Sequence, residues 1–297
     1  MAIGVAILMA VACRMPETPG DAPGTVETNV AVASETQRRL RVATWNIEHL
    51  RSLGEPPLRR QKKDFERLRH YAGRLDADVI ALQEIGEQGA AERVFTAPEY
   101  VVVLSRRNDE QRTGFAVRRR LRFERRPDFV RLDVGGLRHG VDLLVHLGGG
   151  QSVRLLAVHL KSGCFYGRIP GKGAGCRKFE KQIPLLEDWI DARAREGVPF
   201  VVLGDFNRRL SRSDPVWADW DDATPDNADL LLTTEGRRSA CEGGRYPEYI
   251  DHILLGKLAT RWYQADSFRQ VVFDEPRSSL LRLSDHCPIS IDLESAR

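Results

Sequence analysis

Six short segments of this 297-residue chain carry an apolar run into polar side chains that packing alone does not require. They are Val42-Ala-Thr-Trp-Asn46, Val79-Ile-Ala-Leu-Gln-Glu84, Leu155-Leu-Ala-Val-His159, Phe200-Val-Val-Leu-Gly-Asp205-Phe-Asn207, Tyr249-Ile-Asp251 and Leu283-Ser-Asp285-His286. Singly, each has an ordinary explanation. An Asp after a Gly turn usually stabilises the turn, a histidine on a strand is usually a satisfied core residue, and Asn46 can bond its own backbone. Together they supply hard oxygen ligands suited to Mg²⁺ or Mn²⁺, with acid–base groups alongside. The close Cys and His pairs of a structural zinc site are missing.

Such residues need strands to aim them. Apolar runs of strand length occur at Arg41–Ile47, Asp78–Leu82, Tyr100–Leu104, Gly114–Val117, Phe129–Val134, Val141–Leu147 and Val153–Leu160. Four more follow at Phe200–Leu203, Tyr249–Leu255, Gln270–Phe273 and Pro288–Asp292. Many are rich in Val, Ile and Leu, as buried strands are. Helical periodicity places Phe65, Leu68, Ala72 and Leu75 on one face of Lys62–Leu75. A second helix is predicted over Ile183–Ala194, with Pro184 in its first turn. Many strands and few helices predict an α/β chain with two sheets face to face and helices outside. Residues 39–297 read as one domain.

In order, Thr-Trp-Asn46, Leu-Gln-Glu84, His159-Leu-Lys-Ser, Gly-Asp205-Phe-Asn207, Ile-Asp251-His-Ile and Ser-Asp285-His286 resemble the endonuclease/exonuclease/phosphatase superfamily. The resemblance spans about residues 40–292 and implies a four-layered α/β sandwich with two central mixed sheets, the deoxyribonuclease I-like fold. It also implies roles. Glu84 binds Mg²⁺ or Mn²⁺ with Asn46 beside it, and Asp285 is a further metal ligand. Asp205 orients or deprotonates the attacking water, and Asn207 bonds the scissile phosphate. His286 contacts that phosphate with Asp251 on its other ring nitrogen, and His159 donates to a phosphate oxygen or the leaving group. The pattern implies a carboxylate partner for His159, for which Glu110 is the nearest candidate. Glu48 and His49 are assigned no role. Strand alternation turns His252 away from the Asp251 face, so it is structural.

Substrate choice is less legible. Residues 106–126 carry nine arginines against three acidic residues, a local +6 able to track a nucleic-acid backbone. A solvated hairpin is the simpler alternative. Arg138 and Lys172 are further possible phosphate contacts. The favoured expectation is a nuclease with DNA ahead of RNA as substrate, acting as a monomer without an obligate protein partner. A phosphatase or phosphodiesterase on lipids or small esters is the alternative, with Trp217, Trp220, Trp262 and Tyr263 available to a bilayer. A non-catalytic surface lipoprotein that binds through the same fold is a third.

Composition is that of a globular chain, 42% hydrophobic and 29% charged, with a net charge of only +3. It excludes collagen-like, coiled-coil and wholly disordered classes. The apolar run Ala2 to Ala12 is too short to span a bilayer and suits a signal peptide. It runs into Cys13 through Ala10-Val11-Ala12, which resembles the lipobox of bacterial lipoproteins. Residues 14–38, with Pro16, Pro19 and Pro23, read as a flexible linker. Export to the periplasm or cell surface follows, with Cys13 as a possible membrane tether, and the family resemblance points to a bacterial exported branch. Four cysteines then remain, an even number that suggests two disulfides; Cys164 and Cys176 bracket the Gly-rich stretch 167–175, read as a loop that a bridge would pin, and Cys241 would then pair with Cys287. Four reduced thiols in a cytosolic enzyme are the alternative.

Overall fold

The computed structural model describes residues 38–226, 228–276 and 281–295, together with the backbone of Glu27–Thr28. The strands are β1 (Glu27–Thr28), β2 (Arg39–Leu50), β3 (Val79–Ile85), β4 (Tyr100–Leu104), β5 (Arg112–Arg118), β6 (Arg122–Arg125) and β7 (Val141–His146). They continue as β8 (Ser152–His159), β9 (Phe200–Asp205), β10 (Leu230–Leu232), β11 (Asp251–Gly256), β12 (Arg269–Gln270) and β13 (Ile289–Glu294). The helices are α1 (Lys62–Leu75), α2 (Gln88–Val94), α3 (Ala174–Glu196), α4 (Pro215–Trp220) and α5 (Lys257–Thr260). One sheet has the order β1-β6-β7-β8-β9-β11-β10 and the other β12-β13-β2-β3-β5-β4. Both mix parallel and antiparallel pairs: β2 runs parallel to β3 and β8 to β9, while β11 runs antiparallel to β9.

Strand alternation sorts the apolar residues into three layers of core. Val42, Val79, Leu155, Ala157, Val201, Leu203, Ile253 and Leu255 pack between the sheets. The intervening Ala43, Trp45, Ile80 and Leu82 meet Phe65, Leu68 and Leu75 of α1. On the far side Leu156, Val158, Val202 and Leu254 meet Phe179, Ile183, Leu186 and Ile190 of α3. Each Val, Leu, Ile or Phe among them, fully buried, contributes about 1.5–3 kcal/mol before chain entropy is charged against it. The fold is thus helix, sheet, sheet, helix, as expected, and most strands lie where the sequence predicts them.

Phe129–Val134 is not a strand. Val130–Leu132 form a 3₁₀ turn, and Phe129 makes one isolated bridge, to Gly140. The Asp133 carboxylate holds the following turn by accepting from the Gly136 and Leu137 amides, a local alternative to the sheet ladder. Gln270–Phe273 pairs only at Arg269–Gln270, because Phe273 leaves the sheet to pack on the rings of Trp45 and Tyr71. Strands β1, β6 and β10 are additions to the predicted set. Helix α3 begins at Ala174, so Pro184 lies inside it rather than in its first turn. The helix takes in Ala174 and Gly175 at the end of the Gly-rich stretch, and its apolar stripe runs through Cys176 and Phe179 to the predicted start at Ile183.

Both expected disulfides are present, Cys164–Cys176 and Cys241–Cys287. Within the segment read as linker, Glu27–Thr28 pair with Arg125 and Glu124 of β6, so that short piece belongs to the sheet. The apolar run and Cys13 lie outside the described residues. Trp217, Trp220 and Trp262 are core side chains, which removes them as bilayer-facing groups. No helix among the described residues is long and apolar enough to cross a membrane.

Candidate active site

The alternation that builds the inter-sheet core also places the polar residues. Asn46 shares parity with Val42, His159 with Leu155 and Ala157, Asp205 with Val201 and Leu203, and Asp251 with Ile253 and Leu255. Each stands where an apolar residue of the central core would come next along its strand. His159 and Asp251 both lie opposite Asp205 in register, one on either side of β9. The site is therefore the end of the inter-sheet layer, where the core gives way to polar groups. Gly204 makes this possible, because a Cβ there would sit 2.0 Å from the Val158 carbonyl oxygen.

Alternation alone would send Glu84 toward α1 with Ile80 and Leu82. Instead the backbone at Glu84 takes φ 61°, and the β3 register breaks between Leu82 and Ile85. The carboxylate thereby reaches the Asn46 Nδ2 donor (3.3 Å) and the His49 amide (3.1 Å). Glu48, His49 and Asn207 also adopt positive φ, so four of the eight non-glycine residues with that conformation among the described residues lie here. Each costs on the order of 1–3 kcal/mol, which surrounding structure must offset.

Asp205 is the hub. Its Oδ2 accepts from Asn46 Nδ2 (3.1 Å) and Asn207 Nδ2 (3.0 Å), and its Oδ1 from the Asn207 amide (2.7 Å). Burial pushes its pKa up to about 7, against the lowering charge of His286. His159 Nε2 lies 3.5 Å from Asp205 Oδ2 and 3.9 Å from Glu84 Oε1. Burial, with Arg138 and His286 adding positive charge nearby, holds His159 well below the usual histidine range and hence neutral. Its Nδ1 has no partner among the described residues, and Glu110 instead pairs with Arg51. The expected carboxylate partner of His159 is therefore not Glu110.

His286 is the opposite case. Burial opposes its charge, but Asp251 Oδ2 at 2.7 Å from Nδ1 outweighs that and raises its pKa well above the usual range. That contact leaves Nε2 as the free donor, 3.8 Å from Asp285 Oδ1. Asp285 is half-exposed and is held by its backbone, which donates to Glu48 Oε2 (3.0 Å). Ser284 ties the same loop to the Asn46 carbonyl.

All eight predicted site residues thus converge, and the structure adds Glu48 and His49, the next polar residues on β2 after Asn46. Their sequence signal was adjacency alone, because only the positive φ values turn them toward Glu84 and Asp285. His252 is structural as expected, fixed by Thr234 Oγ1 and the Arg208 carbonyl on the helix-side face.

Asp205, Asp251 and His286 each offer a ligand atom within 4.8 Å of the others. Asp251 Oδ1 is buried without a hydrogen-bond partner, an acceptor that a cation or water must satisfy. Such hard oxygen donors, with Glu84 close by, fit Mg²⁺ or Mn²⁺.

The arginine-rich stretch is mostly paired internally. Arg118 meets Asp76 and Glu99, Arg120 meets Asp78, Arg107 meets Asp109 and Asp133, and Arg125 meets Asp128. Arg112 and Arg119 donate to backbone carbonyls. Arg138 is buried and bonds the Leu160 carbonyl behind His159, while Lys172 is exposed.

Comparison with solved structures gives the same fold. A truncated TDP2 from Caenorhabditis elegans superposes with TM-score 0.62 at 17% identity, covering 86% of this chain and 98% of its own. An endonuclease/exonuclease/phosphatase from Bacteroides vulgatus gives 0.56 at 17% identity, covering 87% and 99%. The 3′ phosphatase NExo from Neisseria, bound to a product DNA hairpin, gives 0.58 at 13% identity, covering 86% and 100%. No curated protein matches by sequence. The profile of the endonuclease/exonuclease/phosphatase family matches residues 43–286, which is most of the chain and brackets the polar end of the inter-sheet layer, and the chain belongs to that family.

Proposed function

We propose that this protein is a divalent-metal-dependent phosphodiesterase acting on nucleic acid, DNA before RNA. The observation that carries the reading is the placement of two histidines about one buried carboxylate. His159 Nε2 lies 3.5 Å from Asp205 Oδ2, and Asp205, Asp251 and His286 each bring a polar atom within 4.8 Å of the others. A bound Mg²⁺ or Mn²⁺ would be held by Glu84, with Asn46 beside it and Asp285 as a further ligand, and would supply positive charge to phosphoryl oxygens.

This chain's residues supply the rest. Asp205, fixed by Asn46 and Asn207, is set to hold a water and accept its proton, its raised pKa suiting that exchange near neutral pH. His286 presents Nε2–H to a non-bridging phosphate oxygen, with Asp251 fixing its tautomer. Neutral His159 donates to a second oxygen or to the leaving group. Asn207 sits beside Asp205, ready to turn its amide to the phosphate. Charge developing on the phosphate thus meets donors already in place.

Export is part of the same reading. Two disulfides suit an oxidising compartment. Cleavage of an apolar leader before Cys13, and a lipid on that cysteine, would hold the enzyme at a membrane as a monomer.

The deciding experiment measures hydrolysis of supercoiled plasmid, RNA, sphingomyelin and a terminal phosphomonoester with Mg²⁺ or Mn²⁺, in wild type and His286→Ala. Plasmid nicking lost in the variant and in chelator is the expected result. Turnover of lipid or monoester alone would overturn the nucleic-acid reading, and turnover in chelator would overturn the metal.

A further inference from the structure

A cavity of about 430 Å³ opens directly beside the proposed catalytic groups and shares Asp251, Asp285 and His286 with them. Its remaining wall comes from two loops. One carries Phe165 and, through the backbone bond from the Arg209 amide to the Phe165 carbonyl (2.8 Å), Arg209. The other carries Tyr246 and Tyr249. Phe165, Tyr166 and Tyr246 are three of the five large apolar side chains left exposed among the described residues. Two carry a guanidinium over the ring, Arg209 on Tyr166 at 5.3 Å and Arg245 on Tyr246 at 5.2 Å. Each loop is covalently braced, since Cys164 precedes Phe165 in a bridge to α3 and Cys241 is bridged to Cys287, next to His286.

The charged groups of the lining decide what fits. Glu242, Glu248, Asp251 and Asp285 outnumber Arg209 and His286, so a phosphate is disfavoured inside the cavity. An uncharged planar ring with amino donors suits it. The volume lies toward the lower end of small-ligand pockets, ample for one nucleoside and too small for a base pair still stacked in a duplex. Exposed aromatics with arginines laid on them are the stacking platforms by which proteins hold unpaired bases.

Resting on the phosphodiesterase reading above, we propose that this cavity takes the unpaired nucleoside flanking the scissile phosphate, its base stacked on Tyr246 and Phe165. Single-stranded segments and frayed or gapped ends are then preferred over continuous duplex, and Tyr246 and Phe165 determine that preference.

The test pairs protein and substrate changes. Short single-stranded oligonucleotides carry either a normal nucleotide or a baseless sugar at each position flanking the cleaved bond. These are cleaved by wild type, Tyr246→Ala, Phe165→Ala and the conservative Tyr246→Trp. The expected result is a KM raised roughly tenfold or more by either alanine on the base-bearing strand. On the baseless strand the alanines should add little, and Tyr246→Trp should restore the wild-type value. An equal rise on both strands, or none on either, overturns the proposal. Stacking is also read without turnover, in chelator, as quenching of 2-aminopurine at the same position. Quenching that disappears in Tyr246→Ala supports the cavity even if no DNA is cut, an outcome that would sink the phosphodiesterase reading alone. Quenching unchanged in that variant sinks the cavity proposal, and cleavage that ignores the base does so while leaving the phosphodiesterase reading standing.

Discussion

The two halves of the site are positioned by different means. Asn46, His159, Asp205 and Asp251 stand on hydrogen-bonded strands, each the continuation of a row of core side chains. Asp285 and His286 stand on a loop, and so do the aromatic walls of the cavity beside them. The loop half gets its definition from cross-links. These are the Cys241–Cys287 bridge, the Asp251–His286 bond, and the links from Ser284 to Asn46 and from the Asp285 amide to Glu48. A sheet places a side chain through many shared bonds at once, whereas a loop needs each constraint supplied separately. Reacting groups therefore stand on both halves, and only those on the loop depend on separate braces.

The strongest way to break this comparison is to remove the hub. Asp205→Asn should lower kcat by about 10²–10⁴-fold while leaving the thermal midpoint near that of wild type or above it, since a buried carboxylate is replaced by a neutral isostere. Steady-state kinetics beside calorimetry would show it. A loss no larger than tenfold would mean that Asp205 only organises Asn46 and Asn207.

Severing the braces is next. Cys241 and Cys287 are separated by 46 residues, Cys164 and Cys176 by 12. Loop-closure entropy then gives about 4 kcal/mol for the first bridge and about 3 kcal/mol for the second. Paired Ser variants in denaturant titrations should keep that order. The Cys241/Cys287 pair should also lower kcat, because His286 is the neighbouring residue, while the Cys164/Cys176 pair should act mainly on KM. Equal kinetic effects would erase the distinction between the loops.

The sheet half has a pH signature of its own in His252. Burial lowers its pKa to about 4, opposing the hydrogen bond to the Arg208 carbonyl. A histidine that titrates lower in the folded state leaves stability intact above the unfolded value near 6.5. Stability is lost as pH falls from there through about 4, in total about 3 kcal/mol. In His252→Gln that part of the acid limb should flatten while stability at pH 7 falls. An unchanged slope between pH 6.5 and 4 would show that other groups carry it.

The smallest effect is expected far from either half. Arg118 is shared among Asp76, Glu99 and the Tyr100 ring. Arg118→Ala should change the salt dependence of DNA binding by less than about one unit of slope and stability by about 1 kcal/mol or less. A larger change in slope would restore the arginine-rich stretch as a nucleic-acid track.

Much of this molecule is readable without coordinates because period-2 alternation is a local property of the chain. Lys62–Leu75 and Tyr100–Leu104 fall where the periodicity puts them, and His252 faces away from Asp251 for the same reason. Where local rules compete, reading fails. Val130–Leu132 form a 3₁₀ turn, with Asp133 holding the turn after it, where the sequence reads as strand, and the glycines before Phe179 conceal the start of α3. The arginine stretch misleads because charge is visible in a sequence and its partners are not. Asp76, Glu99, Asp78 and Asp133 approach it through the fold, while Asp128 meets Arg125 from three residues away.

The sequence by itself determined the layers, the polar strand ends and the identity of the eight convergent residues, since side-chain type and parity are written one residue at a time. Only the tertiary structure decided how deeply His159 is buried, that Glu84 crosses to the face of Asn46, and that an aromatic-walled cavity adjoins His286. These depend on burial, on three backbone reversals at Glu48, His49 and Glu84, and on contacts between residues far apart in the chain. Electrostatic energies and cavities arise from neighbours in space, and a linear chain does not name its neighbours until it has folded.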